Sequence, residues 1–237
     1  MQTLKIATIQ TSLYWQDASK NRAQFSKKIK ALANKTDVIV LPEMFTTGFS
    51  MHPRGLAETM QGETIKWMVN LASEVNSVIC GSLIINEDNK YYNRFVFVEP
   101  NGTIKTYDKR HTFTLAGEHK VYTAGNKKVI LEYKGWRICP LVCYDLRFPV
   151  WARNTENYDV LVYVANWPKP RINAWDALLK ARAIENMSYC VGVNRVGKDI
   201  NNHHYTGHSV VYNGLGEAIS DINEDEYIEI VELNKNH

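Results

Sequence analysis

"DVLVYVANWP", residues 159–168, is the stretch on which the reading of the fold turns. Its run of consecutive apolar residues leaves no polar face, so a strand here needs cover on both sides. The run stops at an Asn-Trp-Pro loop. "NAWDALLKARAIENM" (173–187) follows with the spacing of an amphipathic helix, and "YCVGVNRV" (189–196) returns as another buried strand. Earlier, "DVIVLPE" (37–43) has the same character, a continuous apolar strand ending at Pro42. Buried strands with helices between them predict an α/β fold in layers, helices covering sheets.

Outward from that core, "LKIATIQ" (4–10) and "SVICGSLII" (77–85) read as strands. "NRAQFSKKIKALA" (21–33) places Phe25, Ile29 and Leu32 on one helical face, and "ETIKWMVNLASEV" (63–75) is a second helix. The turns "EDNK" and "PNGT" carry the chain through "YYNRFVFVEP" and "IKTYDK" as antiparallel hairpins. Residues 108–127 are polar with little periodicity, as in a functional loop. Strands are expected at 128–133 and 136–142, then a short helix in "FPVWARNTEN" with Pro149 in its first turn. "GKDINNHHYTGH" reads as a polar loop, "SVVYNGLGEAIS" as a hairpin around Asn213-Gly214, and "YIEIVELN" as a final strand. With no repeat, low-complexity segment or linker, a single domain over residues 1–237 is expected. The two half-patterns fit two stacked sheets, each with an outer helix layer, an arrangement that periodicity alone leaves open.

Composition narrows the functional classes. The formal net charge is +3 with lysines and arginines spread along the chain, so no basic patch argues for nucleic acid. No apolar stretch approaches the roughly 18–20 residues that span a bilayer, so no membrane partner is expected. The start "MQTLKIATIQTS" lacks the marks of a signal peptide. Cys80, Cys139, Cys143 and Cys190 read as reduced thiols, and the expected location is cytoplasmic.

Several apolar strands end in a residue able to do chemistry: Glu43, Cys143, Asn166-Trp167, and Lys109 after "TYD". In layered α/β folds ligands bind outside the carboxyl ends of strands, where such side chains converge. Cys143 ends "ICPLVC" just before the polar "YD", and a reactive thiol there needs a base or a cation nearby. Glu43 is a candidate base and Lys109 a candidate cation for a developing oxyanion. Each also has a plain reading: a cysteine filling a core, a glutamate on a loop, a solvated lysine. Cys139, Cys80 and Cys190 are embedded in their strands and keep that plain reading. A papain-like pairing would need a histidine base, and neither His111 nor His208 has a matching local signature. "NNHHYTGH" reads as an exposed loop, with no metal expected. Arg147, four residues past Cys143, either pairs with an acid group of a substrate or forms a structural salt bridge with Asp145 or a neighbouring acid.

"LPEMFTTGF", "YDKRH…LAGEH", "GWRICPLVCYDLRFP" and "NWP…RAIEN…NRVG", in this order, resemble the nitrilase superfamily of carbon–nitrogen hydrolases. The resemblance runs essentially end to end and is greatest toward the bacterial omega-amidases. It implies a four-layer αββα sandwich in which Glu43 takes the general-base place, Lys109 the lysine place and Cys143 the nucleophile place. Glu118 of "LAGEH" corresponds to a second glutamate that positions the lysine and the substrate. The Tyr144 backbone N–H would help hold the oxyanion. No cofactor is implied. The implied substrate is a small-molecule amide, the omega-amide of 2-oxoglutaramate or 2-oxosuccinamate, split through a thioester, and the implied assembly is a homodimer. Deaminated glutathione, a carbamoyl amine or a nitrile are alternative substrates for the same triad, and a catalytically silent scaffold is the non-enzyme alternative. Phe113, Tyr122, Trp167 and Tyr205 are candidate pocket walls.

Overall fold

The structure is a computed structural model that describes residues 2–235. Its first half builds a six-stranded sheet. β1 (Thr3–Gln10) leads into α1 (Ala18–Lys30), β2 (Val38–Val40), α2 (Glu63–Val75), β3 (Val78–Glu87), β4 (Lys90–Val98) and β5 (Ile104–Asp108). β2 runs parallel between β1 and β3, whereas β3, β4 and β5 form antiparallel hairpins. The second half forms a five-stranded sheet from β6 (Leu131–Tyr133), β7 (Trp136–Val142), β8 (Val160–Ala165), β9 (Tyr189–Asn194) and β12 (Val210–Tyr212). Between these lie the short helix α3 (Pro149–Ala152), the helix α4 (Ile172–Asn186) and the hairpin β10 (Val196–Lys198)–β11 (His204–Thr206). β13 (Tyr227–Asn234) returns to pair with β1 along its whole length, closing the first sheet's edge.

The side-chain alternation of strands explains the layers. In the first sheet Leu4, Ile6, Val38, Val40, Val78, Cys80, Phe95 and Phe97 point one way, into a core shared with the second sheet. Their neighbours Ala7, Ile9, Ile39, Leu41, Ile79, Val96 and Val98 point the other way, onto Phe25 and Ile29 of α1 and Ile65, Met68 and Ala72 of α2. On the far side of the second sheet, α4 packs Trp175, Leu179 and Ala183 against the same continuous core. Helix, sheet, sheet and helix therefore stack in four layers, as the resemblance implied. Both faces of β2 and β8 are covered, which is why their sequences carry no alternation.

Three local readings change. α1 begins at Ala18, not Asn21, because the Asp17 side chain accepts from the Lys20 N–H and caps it (2.9 Å). Asn21 is buried, its amide donating to the Tyr14 and Thr46 carbonyls. The expected strand over 128–133 shortens to β6. The polar "GKDINNHHYTGH" is no simple loop: β10 and β11 pair antiparallel, Val196 with Thr206. The α4 stripe also holds Arg182, whose guanidinium donates to the Leu146 carbonyl (2.6 Å), so the helix pins the turn after Cys143.

Candidate active site

Glu43 lies just past the carboxyl end of β2, in a segment fastened to β3: the Met44 N–H donates to the Ser82 hydroxyl (2.9 Å) and the Phe45 N–H to the Ser82 carbonyl (3.2 Å). Lys109 follows β5 directly, its N–H donating to the Asn93 carbonyl (3.0 Å). Glu118 opens a short helical turn (Glu118–Lys120) within the long polar segment. These three side chains, distant in sequence, meet fully buried. The Lys109 ammonium donates to Glu43 Oε1 (2.9 Å) and to Glu118 Oε1 and Oε2 (3.1 and 2.9 Å). Asn93 bridges the two carboxylates, donating to Glu43 Oε1 (2.7 Å) and Glu118 Oε1 (3.2 Å). The Asn166 N–H donates to Glu43 Oε2 (2.9 Å), and the Phe113 N–H donates to Glu118 Oε2. Every carboxylate oxygen in the cluster is thus a charge-assisted acceptor with a fixed partner.

Cys143 leaves the end of β7 with φ +46°, in the left-handed region. That conformation costs a non-glycine residue about 1–3 kcal/mol and persists only where the surroundings impose it. The imposing group is Asp145, itself fully buried. Its Oδ2 accepts from the Val142 N–H (3.0 Å) and the Tyr107 hydroxyl (2.8 Å), and its Oδ1 from the His111 N–H and ring Nδ1 (both 2.8 Å). His111 stacks on Phe148, centroids 3.6 Å apart. Tyr107 and His111 flank Lys109 at two residues on either side, so one short segment ties the thiol's turn to the ammonium.

Charge explains the protonation states. Burial pushes the Cys143 thiol well above its ordinary value, the Glu43 carboxylate adds to this by charge and by hydrogen bonding the thiol, and Lys109 opposes it. Burial works against the Lys109 ammonium, but Glu118 and then Glu43 outweigh it and hold the proton on. Burial raises Glu118, Lys109 pulls it back down, and Glu43 raises it further. At rest the thiol beside Glu43 therefore keeps its proton. Cys139 differs: burial alone leads its rise to about 12, and no carboxylate hydrogen-bonds it. Cys80 and Cys190 are likewise pushed up by burial inside their strands.

A cavity of about 600 Å³ opens over Cys143 and Glu43. Tyr144, Arg147, Phe113, Trp167 and Tyr205 all line it, and the buried Lys109 and Glu118 are not among its lining residues. Tyr122 does not: its hydroxyl donates to the Ser50 carbonyl (2.6 Å) and its ring packs on Met44 and Ile84, so its expected place in the wall is corrected. The alternative salt bridge from Arg147 to Asp145 is also absent, because the Tyr107 hydroxyl, the His111 ring and two backbone amides occupy the Asp145 oxygens. Arg147 instead lies over the Trp167 ring, 5.2 Å from its centroid. His208 pairs with Asp176 (3.0 Å), outside the cavity. Among the described residues no group of three or more His, Cys, Asp or Glu could hold a metal ion, and no helix is long and apolar enough to cross a membrane.

Sequence reasoning missed Asn93, whose signal is a single amide inside the apolar hairpin strand "YYNRFVFV". Arg171 was missed too. It lines the cavity with its guanidinium 5.1 Å from the Phe113 ring centroid, and sits four residues past Trp167.

The carbon–nitrogen hydrolase family model matches residues 5–236. The chain is 50% identical over 220 residues to Omega-amidase YafV of Escherichia coli (strain K12), covering 93% of this chain and 85% of that protein. It is 31% identical over 233 residues to 2-oxoglutaramate amidase of Bacillus subtilis (strain 168), covering 96% and 90%. Among solved structures, XC1258 of Xanthomonas campestris, a CN-hydrolase superfamily protein with an arsenic adduct in its active site, superposes with a TM-score of 0.97 at 40% identity, covering 100% of this chain and 92% of that one.

Proposed function

The chain belongs to the carbon–nitrogen hydrolase family and is a hydrolase of non-peptide C–N bonds in linear amides, and from that premise we propose that it is an omega-amidase. Its substrates are then the omega-amides of small 2-oxo dicarboxylic acids, 2-oxoglutaramate and 2-oxosuccinamate, released as the 2-oxo acid and ammonia. The observation that carries the reading is the buried arrangement of the Glu43 carboxylate, the Lys109 ammonium and the cavity-lining Cys143 thiol.

In the proposed mechanism Glu43 takes the Cys143 proton as sulfur bonds to the amide carbon. The carbonyl electron pair moves to oxygen, held by Lys109 and the Tyr144 N–H, and losing one such donor typically costs about 10²–10³ in rate. The C–N bond then breaks while protonated Glu43 returns its proton to the departing nitrogen, giving ammonia and a thioester. Water attacks the thioester carbon, passing a proton to Glu43. Collapse expels sulfur, which recovers that proton as the free acid leaves. Glu118 keeps Lys109 in place throughout. Arg147 pairs with the substrate carboxylate, and Phe113, Trp167 and Tyr205 wall the chain. The reaction as written needs no cofactor. Support for the substrate class comes from the named activities of the similar proteins in E. coli and B. subtilis.

A homodimer is part of the proposal, supported by the exposed Met187 and Leu215 beside one surface hollow; light scattering giving a mass of one chain would remove it. The central test is a panel of kcat/KM values on wild type and Cys143→Ala. Ammonia release from 2-oxoglutaramate should exceed that from deaminated glutathione, carbamoyl amines and nitriles, and should vanish in Cys143→Ala. Retained activity in that variant sinks the mechanism, and preference for another compound sinks the substrate assignment.

A further inference from the structure

We infer that Arg171 is a specificity-determining residue, forming with Arg147 a two-guanidinium subsite for the anionic head of the substrate. The inference rests on the amidase reading above for which end of the substrate meets Cys143.

Both guanidiniums line the cavity, and neither has an acidic partner among the described residues. Of the other arginines among the described residues, Arg22, Arg94, Arg137 and Arg182 are paired to carboxylates, and Arg54, Arg110, Arg153 and Arg195, without such a pair, do not line the cavity. A cation at a cavity wall without a counter-ion is a donor set awaiting an anion, and a guanidinium fork matches a carboxylate. Each also lies against an aromatic face, Arg147 on Trp167 and Arg171 on Phe113, which limits the rotamer freedom lost on binding.

Two acids, Glu43 and Glu118, take up the one ammonium, Lys109, so the catalytic end offers no unpaired cation to an anion. A substrate with one neutral amide and one anionic end is therefore oriented by the field: the amide goes toward Cys143 and the anion toward the arginines. A 2-oxo acid presents three clustered oxygens, more than one fork uses, and so suits two. Phe113 also fixes the register between the two ends. Its backbone N–H holds Glu118, its ring meets Tyr144 beside Cys143 at 5.0 Å, and Arg171 rests on it.

The test compares Arg171→Met and Arg171→Lys with wild type on 2-oxoglutaramate and on valeramide, an uncharged amide of the same length. Calorimetry of 2-oxoglutarate binding to Cys143→Ala and to Cys143→Ala/Arg171→Met gives a readout independent of turnover. Arg171→Met should lower kcat/KM for 2-oxoglutaramate about 10- to 100-fold, the worth of one hydrogen bond to a charged group. It should leave valeramide within about threefold and weaken 2-oxoglutarate binding by a similar 10- to 100-fold, more steeply at low salt. Arg171→Lys, which keeps the charge and loses the fork, should fall between. An equal loss on both amides, or unchanged 2-oxoglutarate binding, overturns the inference. If wild type releases no ammonia from 2-oxoglutaramate while 2-oxoglutarate binding still depends on Arg171, the amidase substrate reading falls and the subsite stands.

Discussion

Two buried carboxylate clusters flank Cys143, and they differ in what neutralises them. On one side Glu43 and Glu118 share the Lys109 ammonium, with Asn93 and backbone amides filling the remaining positions. On the other side Asp145 has only uncharged donors and a histidine ring: the Val142 and His111 amides, the Tyr107 hydroxyl and His111 Nδ1. Both are anchored on residues 107–111. The first acts on the thiol itself, because the Glu43 charge raises the Cys143 pKa. The second touches no thiol and holds the backbone of the turn. Burying charge thus serves two ends here, chemistry where a mobile proton is adjacent and geometry where the donors are fixed.

Removing the shared cation should have the largest effect. Lys109→Met leaves two buried carboxylates without their counter-ion, and breaking such a pair typically costs about 3–5 kcal/mol. Loss of the oxyanion donor should cut kcat about 10²–10³-fold. Thermal unfolding and steady-state kinetics read both, and a variant of unchanged Tm would show that the two acids are not charged together.

Glu43→Gln separates proton transfer from structure. The amide keeps the shape and an acceptor oxygen, while kcat should fall about 10²–10⁴-fold with the general base gone. The thiol's titration should move the opposite way to what a dead enzyme suggests. Glu43 raises the Cys143 pKa in the folded protein, so its removal should shift the pH midpoint of iodoacetamide alkylation downward. An upward shift or none would mean that Glu43 does not act on the thiol.

The smaller effect belongs to the geometric cluster. Asp145→Asn turns one acceptor oxygen into a donor facing the Val142 amide and Tyr107, at about 1–3 kcal/mol for the unsatisfied group. Tyr107→Phe removes a single hydrogen bond worth about 0.5–1.5 kcal/mol. In both, kcat should drop while KM for 2-oxoglutaramate stays near wild type and the alkylation midpoint is unmoved. A matching shift of that midpoint would erase the distinction between the two clusters.

Much of the fold was legible along the chain. Helix α2 occupies the residues its spacing predicted, 63–75, and β13 coincides with "YIEIVELN". Continuous apolar runs marked β2 and β8 as covered on both faces, because a strand with no polar side has nowhere to meet water. Glu43, Lys109 and Cys143 were each visible as reactive residues at strand ends, and the resemblance singled out Glu118. Their neighbours were not. Asn93, Asp145 and His111 look like ordinary polar residues until the two sheets stack, and the bond from Asn166 to Glu43 was equally hidden, since hydrogen bonds across 25, 34, 50 or 123 residues of sequence have no local signature. The start of α1 was misplaced because a cap at Asp17 outweighed the apolar spacing that begins at Phe25.

Residue identity along the chain decided which groups are able to react, and strand and helix patterns decided roughly where each would surface, because burial period and strand ends are local properties. Only the tertiary structure decided which groups meet, that Tyr122 turns into a satellite core while Arg171 faces the cavity, and that the Cys143 thiol is held protonated beside a carboxylate. Those outcomes depend on desolvation and on charges brought together across the stacked sheets, and neither exists until the layers close.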